Sequence, residues 1–430
     1  MRPGILFALS AINLATINAA PSVRPEERLA SWFTSQVTGS THGGNGQCIE
    51  KIVGIHASAM NTMLKFDLPA NQSQVTETIV EFLRESSNLL LPMIARGLQE
   101  RGCEETLTNI KEVNATLPSQ VMGPTQNISG TYPISTKLCW PATTSSPSNT
   151  TIQLLTHGVG FDKSYWDFYS PSYSYQNAAA KAGYTTLAYD RLGIGKSDHP
   201  DPIQVVQAPL EIEIAHQLIQ SLRNGGDFGS ASFSKVIGVG HSLGSELTNA
   251  VTSKYPEDLD AAVLTGFSVD TAGQSNFFSG LDLVIARENQ PLRFPELNNG
   301  YLIPQSIVSN QFGFFRAPNF DPLVLEAAEA AKQTFTIGEL FTNSMFVGKA
   351  GEFRGPIDVV DGENDLPFCQ SNCLVPENKA EAVKGVLYPN ANNSSMSYIA
   401  KGVGHGLNLH YIAGEAYQQI FDFLESNGFK

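Results

Sequence analysis

The chain has 430 residues, enough for one large domain with additions or for two domains, and 42% hydrophobic with 16% charged residues describes a globular protein. A formal charge of −14, a pI near 5.0 and the lack of any extended basic run exclude nucleic acid and anionic membrane as partners, because both demand basic surface.

Residues 1–20, MRPGILFALSAINLATINAA, carry one early arginine, a short apolar core broken by Ser10, Asn13 and Asn18, and small residues around Ala19 and Ala20. This composition predicts a cleaved secretory signal, and no later run is long and apolar enough to span a bilayer. Glycosylation sequons at Asn71, Asn114, Asn127, Asn149, Asn392 and Asn393 agree with export, the last two overlapping. The five cysteines have no accompanying histidine cluster, so they fit disulfides better than a metal site. The expected pairs are Cys369 with Cys373 and Cys48 with Cys103, which leaves Cys139 over.

From 21 to 119 the reading is mostly helical. Ile79, Phe82, Leu83, Leu90 and Leu91 fall at spacings compatible with one apolar helical face. Nothing there has catalytic spacing, and an added helical layer or a processed pro-region accounts for it. From 120 onward apolar runs alternate with helix-like stretches. TYPISTKLCW, TIQLLTH, TTLAYD, KVIGVG, AAVLTG, IDVVDG and SMSYIA read as strands, while 177–182, 209–223 and 242–255 read as helices. Such alternation predicts an α/β fold whose mostly parallel central sheet is flanked by helices, with active residues at the carboxyl ends of the strands. Residues 270–353 break the rhythm and hold 11 of the 24 phenylalanines, which reads as a cap inserted between two strands.

The chemistry centres on Gly240-His241-Ser242-Leu243-Gly244. Gly238 and Gly240 do not continue into G-x-G-x-x-G, since the next glycine, Gly244, comes one residue too late. The match is G-x-S-x-G, a sharp strand-to-helix turn that exposes a serine and needs glycine two positions to either side. Ser242 is then the candidate nucleophile, and the amide of Leu243 points at a developing oxyanion. A serine nucleophile needs a base, an orienting acid and a second oxyanion donor. His405, in a loop after the last strand, is the candidate base, with His410 as a competitor assigned to surface or packing. Asp365, just beyond a strand end, is the candidate acid, with Asp361 and Glu363 as alternatives. Val159, after the strand that ends at His157 and Gly158, supplies the second amide. His157 reads as a structural hydrogen-bonding residue and Asp162 as surface or capping.

HGVGFDKSYW, YDRLGIGKSD, GHSLG, GENDLPFC and GVGH, in this order, resemble the α/β-hydrolase superfamily, and closely its secreted members in filamentous fungi. The resemblance runs from Thr131 to the C-terminus and leaves the region before 119 without a counterpart. It implies an α/β-hydrolase domain over 120–430 and a role for Arg191 in supporting the oxyanion loop. Members that open epoxides or cleave carbon–halogen bonds place an aspartate at the elbow, so Ser242 disfavours both chemistries. The implied activity is that of a secreted serine hydrolase that cleaves small-molecule carboxylic esters with an apolar acyl or aromatic part. It proceeds through an acyl-enzyme and needs neither metal nor organic cofactor. The alternatives are an acyltransferase, lactonase or thioesterase acting on a secondary metabolite, and a catalytically silent binding protein on the same fold.

Overall fold

Short apolar runs bounded by turns build the centre of the molecule. The computed structural model describes residues 36–83, 121–147, 150–225, 228 and 232–430; the expected signal, Cys103, Asn114 and Asn149 lie outside the described residues. The strands are β1 (Gln36–Ser40), β2 (Gly46–Leu64), β3 (Met122–Pro141), β4 (Thr151–Thr156), β5 (Thr185–Tyr189), β6 (Lys235–His241), β7 (Ala261–Thr265), β8 (Val284–Ile285), β9 (Tyr301–Ile303), β10 (Phe335–Thr336), β11 (Ile357–Gly362) and β12 (Met396–Ala400). Nine of them form one sheet in the order β1-β2-β3-β5-β4-β6-β7-β11-β12. From β5 to β12 every pairing is parallel, whereas β1, β2 and β3 are antiparallel and β3 joins β5 antiparallel.

Strands β4, β5, β7 and β11 are buried at every residue, as is β6 beyond Lys235. Burial on both faces explains the unbroken apolar runs Val236–Gly240 in β6 and Ala261–Leu264 in β7, whereas β4 and β11 also bury Gln153, Asp358 and Asp361. In chain order the helices are α1 (72–83), α2 (Tyr175–Lys181), α3 (Ala208–Asn224), α4 (Leu243–Lys254), α5 (Gln274–Leu281), α6 (Ala286–Asn289), α7 (Ile307–Phe314), α8 (Pro322–Ala331), α9 (Ile337–Thr342), α10 (Leu366–Cys369), α11 (Lys379–Leu387) and α12 (Ala413–Ser426). Among the described residues no helix is long and apolar enough to cross a membrane. All seven strands expected after 120 form, and so do the three expected helices.

The region before 120 differs from the expectation. Its described part holds two strands and a single helix, α1, and β2 belongs to the main sheet instead of an added helical layer. Val53, Ile55, Ala57 and Ala59 are buried while His56, Ser58 and Met60 are exposed, a period of two that only a strand satisfies. Small residues blur that signal, because Gly54, Ala57 and Ala59 have little strand preference of their own. The β2–β3 ladder also corrects the expected Cys48–Cys103 pair. Cys48 stands directly opposite Cys139 in the register, and these two form the disulfide, with Cα atoms 4.1 Å apart. The Cys369–Cys373 bridge forms as expected.

Between β7 and β11 the chain leaves the sheet and builds the cap from α5 to α9 and a small antiparallel sheet, β10-β9-β8. Ten of its eleven phenylalanines are buried and Phe312 is 54% exposed, so these rings are chiefly the cap's own core. The excursion after β2 braces it: Phe66 and Phe82 both pack on Phe341. The Gln72 amide grips β8 from both sides, accepting from the Ile285 N–H (2.8 Å) and donating to the Leu283 carbonyl (3.2 Å).

Candidate functional site

The turn between β6 and α4 forces its own sequence. Ser242 has φ 56° and ψ −123°, a strained left-handed conformation for a residue with a side chain. A Cβ on Gly240 would lie 2.3 Å from the Gly244 carbonyl oxygen, and one on Gly244 would lie 2.1 Å from that of Thr156. Both flanking positions are therefore closed to any other residue. The Ser242 N–H donates to the Thr265 carbonyl of β7 (2.9 Å), which fixes the serine at the carboxyl end of the sheet.

Two loops from distant parts of the chain meet it there. His405 Nε2 lies 2.8 Å from Ser242 Oγ, and His405 Nδ1 lies 2.5 Å from Asp365 Oδ2. An N–H on Nδ1 donating to the carboxylate leaves Nε2 free to accept the serine proton. All three side chains are buried, Ser242 being 5% exposed. Burial disfavours the imidazolium and pulls His405 well below its ordinary value, so the ring is neutral near pH 7. Asp365 caps α10, accepting the Phe368 N–H at Oδ1 (2.9 Å).

The two alternative acids have their own places. Asp361 lies beside Asp365, and burial first, then the neighbouring carboxylate, hold its carboxyl well above the usual range. A proton thus resides on Asp361, which donates it to Asp365, while Asp361 Oδ1 accepts the Gly362 N–H (2.8 Å). Glu363 Oε2 instead accepts the Gly402 N–H (2.8 Å) and anchors the loop that carries His405. Asp361 Oδ2 also lies 3.4 and 3.5 Å from the sulfurs of Cys369 and Cys373, but those sulfurs are bonded to each other and offer no thiolate to a metal.

Of the surface and packing roles expected for it, His410 takes the buried one. It is fully buried just before α12, with Nδ1 donating to the Gly406 carbonyl (2.9 Å) and Nε2 accepting the N–H of Gly404 (3.2 Å) and of Arg316 (3.0 Å). A neutral ring is needed for this pattern, and burial lowers its value to about 4. One imidazole therefore holds the residues on both sides of His405 and ties them to the cap. The sequence showed a histidine at this spacing but not its non-local partners.

His157 plays the matching part on the other loop. Its Nε2 accepts the Arg191 N–H (3.1 Å), which leaves Nδ1–H to donate to the Gly158 carbonyl (2.9 Å). Peptide planarity then turns the Val159 N–H to the opposite side from that carbonyl. Neither the Val159 nor the Leu243 amide donates to a protein acceptor among the described residues. The Arg191 guanidinium is held by Glu211 and Glu339, each at 2.7 Å, so the same residue joins the oxyanion loop to α3 and to the cap. Asp162 caps the short turn after this loop by accepting the Ser164 N–H (2.8 Å).

Gly158 touches the serine directly. A Cβ there would lie 2.8 Å from Ser242 Cβ and 2.9 Å from the His241 carbonyl oxygen. Gly158→Ala should displace the loop by a few tenths of an ångström and lower kcat about 100-fold, the scale of losing one oxyanion donor. Steady-state kinetics alongside a thermal melt would check this; an unchanged kcat in a folded variant would detach the loop from catalysis.

Aromatic rings close over the base. Phe277 of α5, Phe314 of α7 and Phe368 of α10 surround His405 with ring centroids 5.4, 5.8 and 5.8 Å away, the Phe314 ring stacked on it. Below the cap, Glu246 of α4 is buried with one hydrogen bond, from Gln274 of α5 (3.2 Å), and burial raises its value from 4.5 to about 8. A carboxyl raised in the folded state contributes stability that is complete below about pH 4.5 and is lost as pH rises towards 8. Glu246→Gln should therefore gain melting temperature relative to the wild type as pH rises through that window. Melts at several pH values would show it, and a constant offset would refute it.

A family model described as the alpha/beta hydrolase family matches residues 153–411, more than half of the chain. No curated relative matches it. Solved structures similar to it include a thermophilic esterase from Thermogutta terrifontis (14% identity, TM-score 0.45, covering 69% of this chain and 94% of that one). Others are the enol-lactonase from Burkholderia xenovorans (15%, 0.45, 68% and 97%) and an alpha/beta hydrolase from Penicillium sp. (15%, 0.44, 69% and 95%).

Proposed function

The chain belongs to the alpha/beta hydrolase family, and from that premise we propose that it is a secreted serine hydrolase that cleaves carboxylic esters through an acyl-enzyme on Ser242. The observation that carries this reading is the unbroken pair of hydrogen bonds from the Ser242 hydroxyl to His405 Nε2 and from His405 Nδ1–H to the Asp365 carboxylate. Ser242 Oγ attacks the ester carbonyl as its proton passes to His405 Nε2. The carbonyl π electrons move onto oxygen, and the Val159 and Leu243 amides bind that anion, each donor contributing about 3 kcal/mol to barrier lowering. The tetrahedral intermediate then collapses and expels the alkoxide, to which His405 returns the proton. Water attacks the acyl-enzyme by the same route and regenerates Ser242. Asp365 holds the Nδ1–H tautomer and stabilises the transient imidazolium.

The phenylalanines around His405 favour substrates with apolar or aromatic parts. They also favour a second reading, transfer of the acyl group to an alcohol, since a dry site disfavours water as acceptor. Product analysis in the presence of a competing alcohol separates the two. Export is supported by the composition of residues 1–20, by two disulfides, and by exposed sequon asparagines at positions 71, 127, 392 and 393.

Treatment of the purified protein with a fluorophosphonate, followed by peptide mass spectrometry, tests the reading. An adduct on Ser242 is expected. Folded protein that stays unlabelled would favour a binding role on the same fold.

A further inference from the structure

Between the end of α7 and the loop carrying Asp365 lies a cleft of about 470 Å³ that reaches His405. Phe312, Phe315 and Leu366 give it apolar patches, Gln311, Asn364 and Ser371 add neutral polar groups, and no aspartate or glutamate lines it. Its one permanent charge is Arg316. Among the described residues that guanidinium meets no carboxylate, as is also true of Arg287 and Arg293, but of these three only Arg316 lines the cleft. The root of the side chain is fixed, because the Arg316 N–H donates to His410 Nε2 and its carbonyl accepts the Asn319 N–H (3.0 Å).

The charge is notable against its background. A molecule of net charge −14 repels anions at long range, so an anionic substrate needs a local cation to be held. An uncompensated guanidinium beside apolar rings supplies one, and its planar fork matches a carboxylate in two-point contact. Direction follows from the chemistry of the proposed reaction. His405 Nε2 must hand its proton to the leaving oxygen, so the alcohol half of the ester lies against His405, a residue that also lines this cleft.

Resting on the ester-hydrolysis reading, we propose that the cleft is an anion subsite: the preferred substrates are esters of hydroxy acids, whose alcohol half carries a carboxylate that binds the Arg316 guanidinium.

The test uses the full chain with 4-acetoxybenzoate and its methyl ester. Comparing their kcat/KM ratio between proteins cancels the difference in intrinsic reactivity. The acid-to-methyl-ester ratio should fall about tenfold in Arg316→Gln, mainly through KM, and further in Arg316→Glu. Salt at about 1 M should shrink the wild-type ratio in the same direction. A ratio that is equal in all three proteins, with both esters turned over, would overturn the subsite. Turnover of neither ester by the wild type counts against the ester reading, and calorimetric titration with 4-hydroxybenzoate then decides the subsite alone. Binding that weakens in Arg316→Gln upholds it; no binding, or equal binding, overturns it.

Discussion

Ser242→Ala should lower ester turnover by about 10⁴-fold or more and abolish fluorophosphonate labelling. The substitution removes one oxygen atom. His405 Nε2 then has no hydroxyl to deprotonate, and the remaining rate is what the oxyanion amides and substrate binding provide with water as nucleophile. Stability should change little, because alanine keeps the Cβ that the elbow already tolerates at φ 56° and the Ser242 amide still donates to Thr265. Activity within tenfold of the wild type in a folded variant would move the nucleophile elsewhere.

The second large effect separates two neighbouring acids. Asp365→Asn should cost about 10⁴ in kcat, because the amide can present its N–H to His405 Nδ1 and turn the proton onto Nε2, where it blocks attack. Asp361→Asn should stay within about tenfold of the wild type. The protonated Asp361 already behaves as a donor to Asp365 and an acceptor from Gly362, and an asparagine does both. The contrast is the test: comparable losses in the two variants would mean that the carboxyl pair shares the orienting role, and a larger loss in Asp361→Asn would reverse the assignment.

How far the sequence reveals this site depends on how local each requirement is. Ser242 is legible because the elbow imposes glycine at two fixed offsets within five residues. The central strands are legible because short apolar runs bounded by turn residues recur along the chain, the longest being Val236–Gly240 in β6 and Ala261–Leu264 in β7. Strand β2 is harder to read, since its buried face is built partly from alanines that suit a helix as well. The partner of Cys48 is a matter of long-range register, with 91 residues separating it from Cys139, and no spacing rule reaches that far. His410 and Asp361 are the subtler cases. Each is an ordinary residue until a second loop arrives and turns it into a clamp on His405 or a donor to Asp365, so their roles exist only in three dimensions.

The excursion between β2 and β3 leaves and returns at one point, the Lys65 N–H donating to the Val121 carbonyl at 2.7 Å. A stretch with adjoining exit and entry behaves like a handle on a vessel: its length can drift over generations without shifting the sheet register. Its first third is not free to drift alone, because Phe66, Gln72 and Phe82 grip the cap. Two stretches far apart in the gene therefore inherit one shared wall. A swap of the cap between relatives would have to carry residues 65–83 with it, or the transplanted cap would lose its brace.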